Sequence, residues 1–498
     1  MPRRVILLII DSLMYPALEK AVGEGAAPAF QFFMEKGVVY PNVVTAFPTM
    51  SVTVDSSLLT GTYADVHRVP GLVWFHDEEK RLINYGSHVR ELWRLGLLRA
   101  LDDLFYRLNN EHLSQSIATI HEELAAKGKE SASINVLLYR GNTDHPLRLP
   151  ALLTLFKPFR GRRKTKGARL FTYGSFARLG PSNQNGHFWQ KYGFNNRFSA
   201  QELVHLIRAD RLPPFTIVYF PDMDKIVHKH GPMDTKGIAQ TDKQLQTILH
   251  CYASWEEALR DQCWIIMGDN GQAPIRADRN KALIDLRRLL HPYNVMALKR
   301  GVQKDDQLVL AVNERMAFIY TLDLDPQRAP LARLAETLRQ DGRIDVIAWL
   351  EGDAAHVISG VRSGTLTFRP NGAQTDEYGQ RWDVQGDLGV LDLTTSGGRI
   401  SYGDYPDALA RLYSSLTSHR GTFLIVSAAP GFEFIGEGSP THVGGASHGA
   451  LHRHDSLVPM IVAGTDSAPK HLRVIDLKEW MLSLLEGETM HEMRESDV

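Results

Sequence analysis

The sequence predicts an α/β fold: a mostly parallel central sheet flanked by helices, with a small α+β cap inserted late in the chain. Three observations predict it. Short apolar runs recur without the alternation of a half-solvated strand, which marks strands buried on both faces. Segments of helical period lie between them. Acidic residues follow three of the runs, at the carboxyl end where an open parallel sheet gathers its ligand-binding groups. At 498 residues the chain exceeds one small core, so a large domain with insertions, or two or three domains, is expected.

The first run, 5–10 (VILLII), ends at Asp11. Arg3 and Arg4 precede it, but so short an apolar run with no small-residue cleavage site falls short of a signal peptide. A buried strand is expected instead. A helix over 116–127, opened by Ser116 and closed by Gly128, leads into a second run at 133–138 (SINVLL). A helix over 201–207 leads into 215–220 (FTIVYF), which is followed by Pro221, Asp222 and Asp224. A helical stretch over 235–259 leads into 264–267 (WIIM), followed by Asp269, and the run 458–463 (VPMIVA) completes the core.

Two segments break that rhythm. Within 144–197, the stretch 157–169 (KPFRGRRKTKGAR) carries seven basic residues and no acid. It reads first as a solvated loop, and otherwise as a lip that attracts an anionic substrate or surface. Residues 301–402 read as strand, helix, strand and hairpin, a small α+β cap. The expected organisation is core (1–143), inserted basic loop region (144–197), core (198–300), cap (301–402) and core (403–498).

Composition narrows the function. Hydrophobic content of 43% and charged content of 23% are those of a soluble globular protein. A net charge of -1 gives no bulk attraction to nucleic acid or membranes, so no stable nucleic-acid complex is expected. No apolar stretch is long enough to cross a bilayer. Cys251 and Cys263 stand outside any metal-ligand spacing, which argues against a disulfide framework or a thiolate zinc site. Two thiols without an export signal make the cytoplasm the expected location.

One Asp after a strand is usually the N-cap of the next helix. Three, at Asp11, Asp224 and Asp269, with histidines nearby, point to a metal site. Asp224 and His228 are four residues apart and share one face if Asp224 opens a helix, which Gly231 and Pro232 then close. Near the C-terminus His442, His448, His452 and His454 lie among glycines. Imidazole suits zinc and its neighbours, but four such histidines cannot all be ligands, and most are expected at the surface or facing substrate. A nucleophile candidate lies in 47–61, where Pro48 precedes Thr49, Ser51 and Thr53 and an apolar-periodic stretch ends at Gly61. A helix N-terminus there would offer N–H groups to a phosphate, and a hydroxyl beside a divalent metal would be activated.

Together these segments resemble the alkaline phosphatase superfamily, and within it the type I phosphodiesterase and nucleotide pyrophosphatase branch. The matching order is Asp11; Ser51 before Thr60 and Gly61; Asp224 to His228 with Gly231 and Pro232; Asp269, Asn270 and Gly271; and His448 with Gly449. The resemblance implies an alkaline-phosphatase-like core and a hydrolase that cleaves a phosphodiester or pyrophosphate bond in a small phosphorylated substrate such as a nucleotide. It implies two divalent metal ions, zinc first. Asp224, His228 and His448 would hold one; Asp11, Ser51 and Asp269 the other. Ser51 would attack phosphorus and carry a covalent phosphoryl group, with Thr49 as the alternative nucleophile. The segment at His67 and Arg68 would line the substrate pocket. Three departures stand out. Asn270 replaces a histidine, which makes manganese or magnesium an alternative at that position. The usual threonine nucleophile is a serine. Val54 stands in the register of a phosphate-contacting asparagine. Phosphomonoesterase, phosphonate hydrolase or phosphomutase activity on the same core, and a non-catalytic metal- or anion-binding protein, are the competing expectations.

Overall fold

The computed structural model describes residues 4–86, 94–147, 164–180, 185–322 and 330–487. Its central sheet has seven strands, in the order Gly37–Val44, Leu457–Ala463, Gln262–Gly268, Arg4–Ile10, Phe215–Phe220, Ser131–Ile134 and Leu170–Thr172. The last five are mutually parallel. Leu457–Ala463 runs against both its neighbours. Its apolar run reads like those of the parallel strands, and the structure corrects that direction: burial on both faces selects the same residues whichever way a strand points. Gly37–Val44 was not anticipated. It is a half-exposed edge strand with Pro41 where the register shifts, a place that tolerates a missing N–H.

The helices follow their expected places with shifted ends. The helix before Ser131–Ile134 is Ile120–Ala126, and its cap is Thr119 rather than Ser116. Thr119 and Glu122 form a reciprocal capping box, which satisfies two N–H groups at once and wins over a lone serine upstream. The stretch 201–207 extends to Asn196–Arg208, capped by the Asn195 side chain. The stretch 235–259 ends early, as Lys236–Leu249.

A second sheet holds nine strands. It is built from the hairpin Leu308–Asn313 and Met316–Thr321, the strands Ile344–Glu351, Ala354–Ile358 and Leu366–Asp376, and smaller strands up to Arg399–Tyr402. Thr422–Ala428, from beyond residue 402, lies between Met316–Thr321 and Ile344–Glu351. One hydrophobic cluster joins the two sheets, holding Val5, Leu7 and Ile9 together with Val309, Ala311 and Phe318. The second sheet is therefore packed onto the core rather than tethered to it. Of the basic stretch, residues 157–163 lie outside the described residues, and Lys164–Gly167 pairs with Thr143–Pro146. Among the described residues no helix is long and apolar enough to cross a membrane.

Candidate active site

Sheet register brings the acids together. Ile10 is level with Gly268 on one side and Phe220 on the other. The next residues along each strand, Asp11, Asp269 and Pro221, leave three adjacent strands at the same edge. Asp224 is in the first turn of the helix Asp222–His230, one turn before His228, and the helix stops at Gly231. His448 arrives on the loop before Leu457–Ala463. Its neighbour Gly449 has φ +111°, and a Cβ there would stand 2.5 Å from the Asn313 carbonyl, so only glycine lets this loop lie against the hairpin.

Asp11, Asp224, His228, Asp269 and His448 thus form one neighbourhood. His228 Nε2 is 3.0 Å from Asp224 Oδ1, and His448 Nε2 is 3.8 Å from the same oxygen. Both rings are oriented from behind: His228 Nδ1 pairs with the Ala446 carbonyl at 2.8 Å and His448 Nδ1 with the Thr49 carbonyl at 2.7 Å. Each presents Nε2 to Asp224. An anchored Nδ1 with a free Nε2 is how metal-binding histidines are held. Two ligands of a tetrahedral zinc are about 3.3 Å apart, so this spacing fits one cation.

The second cluster is more tightly cross-linked. Ser12, at φ 60°, donates its backbone N–H to Asp269 Oδ1 at 3.0 Å. Its hydroxyl lies among Asp11 Oδ1, Asp224 Oδ1, Asn270 Oδ1 and Gln272 Nε2. Asn270 turns its amide nitrogen toward Asp11 at 3.4 Å and Asp269 at 3.0 Å, and its oxygen toward Ser12. Asn270 therefore bridges two carboxylates by donation in place of offering an oxygen between them. Asp269 Oδ2 is buried and unpartnered, an acceptor suited to a cation. Burial pushes the carboxyls of Asp11 and Asp269 above the ordinary range; repulsion adds to it, from Asp269 and Asp224 on Asp11 and from Asp224 on Asp269. Burial opposes ionisation of Asp224 too, but His228 outweighs it and holds that carboxyl low. A divalent cation would relieve the repulsion.

Ser51 is the first residue of the helix Ser51–Thr60, which Gly61 ends in the left-handed region. Its hydroxyl lies close enough to Asp269 to favour the ionised form of that carboxyl, and it lines a cavity of about 870 Å³ together with Asp11, Asp224, His228 and His448. Thr49 is fully buried and already engaged: its Oγ1 accepts the Gly449 N–H at 2.7 Å. Val54 belongs to the hydrophobic core and faces no substrate. His67 was expected at the pocket, but it is completely buried, pairs with Ser57 Oγ at 3.1 Å, and is pushed down to about 3 by burial. Its segment packs against the helix Ser51–Thr60. His452 and His454 lie on a separate cavity of about 640 Å³.

Six participants escaped the sequence reading: Ser12, Tyr219, Gln272, Glu314, Glu433 and the particular role of His442. Tyr219 is the one that left a trace. It is the lone aromatic hydroxyl in a strand buried throughout, and a buried phenol needs a partner. It donates to Asp11 Oδ2. Tyr219→Phe is expected to weaken metal binding at the Asp11 and Asp269 position by roughly 10-fold or more, read by chelator competition; unchanged affinity would mean the hydroxyl does not orient Asp11. His442 stacks on His228 with ring centroids 4.0 Å apart, and its Nδ1 lies 3.0 Å from Glu433 Oε2.

Against family models, residues 5–376 match the type I phosphodiesterase / nucleotide pyrophosphatase family. The chain belongs to this family. It is a hydrolase acting on phosphoester bonds, in a family of divalent-metal enzymes, and the matched region contains Asp11, Ser51, Asp224 and Asp269. No curated protein matches the chain. Among solved structures, murine ectonucleotide pyrophosphatase / phosphodiesterase 5 is similar at 13% identity and TM-score 0.56, over 97% of this chain and 95% of that one. An inactive form of the same murine protein in complex with AMP aligns at 12% identity and TM-score 0.56, with the same coverage. Phosphonoacetate hydrolase from Sinorhizobium meliloti, in complex with phosphonoacetate, aligns at 15% identity and TM-score 0.53, over 97% and 96%. At such identities these likenesses concern the fold: an alkaline-phosphatase-like core.

Proposed function

We propose that the chain is a two-metal phosphodiesterase or nucleotide pyrophosphatase that works through a phosphoryl group carried on Ser51. The observation that carries this reading is the place of the Ser51 hydroxyl: at the start of a helix, beside the Asp269 carboxyl, in the cavity shared by both clusters. Asp224, His228 and His448 form a nitrogen-rich set suited to zinc. Asp11, Asp269 and Ser51 form an oxygen-only set that also suits manganese or magnesium, with Asn270 orienting the two carboxylates. When bound, such cations supply charge neutralisation and lower the proton affinity of a hydroxyl.

The chain's own groups do the rest. The Ser51 proton has the Asp269 carboxylate as its acceptor. Ser51 Oγ forms a bond to phosphorus while the bond from phosphorus to the leaving oxygen breaks. Water then attacks phosphorus, the Ser51–phosphorus bond breaks, and Ser51 recovers its proton. The positive end of the helix Ser51–Thr60 offers N–H groups to the phosphoryl oxygens.

The walls favour a substrate with two unlike ends. Leu72, Tyr85, Phe105, Tyr173 and Phe194 make one wall apolar and largely aromatic, which suits a nucleoside or aryl group. Lys225 and Lys229, one turn apart on the helix that carries Asp224 and His228, stand on another wall and suit a further anionic group. The test is a panel of nitrophenyl phosphodiester, nitrophenyl phosphomonoester, dinucleotide pyrophosphate and phosphonoacetate, with the protein stripped of metal and then supplied with zinc or manganese. Diester or pyrophosphate cleavage is expected, lost on chelation and restored by metal. Preference for the monoester or for phosphonoacetate would overturn the substrate class, and full turnover after chelation would overturn the metal chemistry.

A further inference from the structure

The nitrogen-rich cluster has a neighbour outside the family motifs. Glu314 sits at the turn between Leu308–Asn313 and Met316–Thr321, so it comes from the second sheet. Its carboxylate straddles the two histidines: Oε1 lies 3.8 Å from His228 Nε2, and Oε2 lies 3.8 Å from His448 Nε2. Those distances are too long for hydrogen bonds. They fall near the separation of about 3.3 Å expected between two ligands of one tetrahedral cation, as do the distances from Asp224 to the same two nitrogens. Both nitrogens are the ones left free by Nδ1 anchoring.

The turn is held in place with some strain. Glu314 has φ 57°, a left-handed conformation that a residue with a Cβ keeps only when its surroundings impose it. Here they do. The Phe434 N–H bonds to the Glu314 carbonyl at 2.8 Å, and the Arg315 N–H bonds to the His448 carbonyl at 3.0 Å. Ser447 Oγ donates to Glu314 Oε2 at 2.8 Å, which aims the carboxylate. The side chain is only 11% exposed, and its near charged neighbours are His228, His442 and His448, with the Asp224 carboxylate beyond them.

We infer that Glu314 is a fourth protein ligand of the cation held by Asp224, His228 and His448. His228, Glu314 and His442 also form a group of metal-binding geometry. It shares His228 with the first group, and Glu314 is the residue that reaches from one seat to the other. The second sheet then completes the metal site and is not merely a cover for it. This inference rests on the proposed two-metal reading.

The test uses the full chain, stripped and reloaded with zinc alone. A crystal diffracting at the zinc edge should place the anomalous peak within about 2.0–2.2 Å of a Glu314 oxygen. Glu314→Gln should lower zinc affinity at the histidine site by roughly 10–100-fold or more in chelator competition, and with Co²⁺ as the probe it should change the visible ligand-field spectrum. An ion on Asp224, His228 and His448 but well beyond bonding distance of Glu314 would overturn the inference and leave the two-metal reading standing. So would unchanged affinity and spectrum in the variant. Wild-type protein that takes up no metal would overturn both. If Glu314→Gln fails to fold, the wild-type anomalous map decides.

Discussion

Replacing Ser51 with alanine is expected to lower turnover of a phosphodiester by roughly 10⁴-fold or more while leaving the fold intact. Ser51 is half-buried at the cavity surface, and its side chain supports no packing that alanine would lose. On the proposed mechanism, removing it takes away the atom that bonds to phosphorus, so the loss falls on kcat and not on KM alone. Thr49 is the natural control. Its Oγ1 satisfies the buried Gly449 N–H, and its carbonyl orients His448. Thr49→Val leaves that N–H unpaired, at a cost of about 1–3 kcal/mol in stability, and keeps far more activity than Ser51→Ala. Acid-quenched wild-type protein should carry one phosphoryl group on the peptide that contains Ser51, seen by mass spectrometry. Full activity in Ser51→Ala with loss in Thr49→Val would transfer the role to Thr49.

How much of this could be read in the sequence depends on how each group reaches the site. Asp11, Asp224 and Asp269 were legible because parallel strands deliver the residues after their carboxyl ends to one edge, whatever their separation along the chain. His228 was legible because four residues make one helical turn. Ser51 and Gly61 were legible as the two ends of one helix. Glu314 was not. It is a turn residue between two strands of a distant sheet, and nothing in its neighbours distinguishes it from a solvated hairpin tip; only the close approach allowed by Gly449 gives it a role. His442 was one of four histidines in a flexible composition, and its assignment comes from Glu433, nine residues earlier. Asn270 was legible as a departure, but the sense of its hydrogen bonds was not, since an amide can face carboxylates with either end. The direction of Leu457–Ala463 stayed hidden because its burial is the same in either orientation.

Asp455→Ala is expected to destabilise the protein by about 3–5 kcal/mol, the largest single loss of stability foreseen for any residue outside the hydrophobic core. Asp455 pairs with Arg315, and both side chains are fully buried. Arg315 also donates Nε to the Phe432 carbonyl and a terminal nitrogen to the Ala428 carbonyl, each at 3.1 Å. Asp455 accepts the Ala450 N–H through Oδ1 at 3.2 Å. Alanine at 455 strands a guanidinium in the interior without its hydrogen-bonded counter-charge, and that desolvated charge, more than the lost attraction, sets the cost. Asp455→Asn keeps an acceptor and should lose less. Replacing both partners by apolar residues, Arg315→Met with Asp455→Leu, removes the uncompensated charge and should recover part of the loss. Denaturant midpoints with unchanged slopes would measure all four proteins on one scale. The position of the pair gives the prediction a second readout. Arg315 follows Glu314 in the hairpin turn, and Asp455 lies in the short helix Arg453–Ser456 seven residues after His448, so this ion pair fastens the second sheet to the segment that carries His448. Asp455→Ala should therefore weaken zinc binding even under conditions where the protein remains folded. A variant as stable as the wild type would show that the pair contributes nothing net, and a destabilised variant with wild-type zinc affinity would show that the loop is positioned by the Gly449 approach alone.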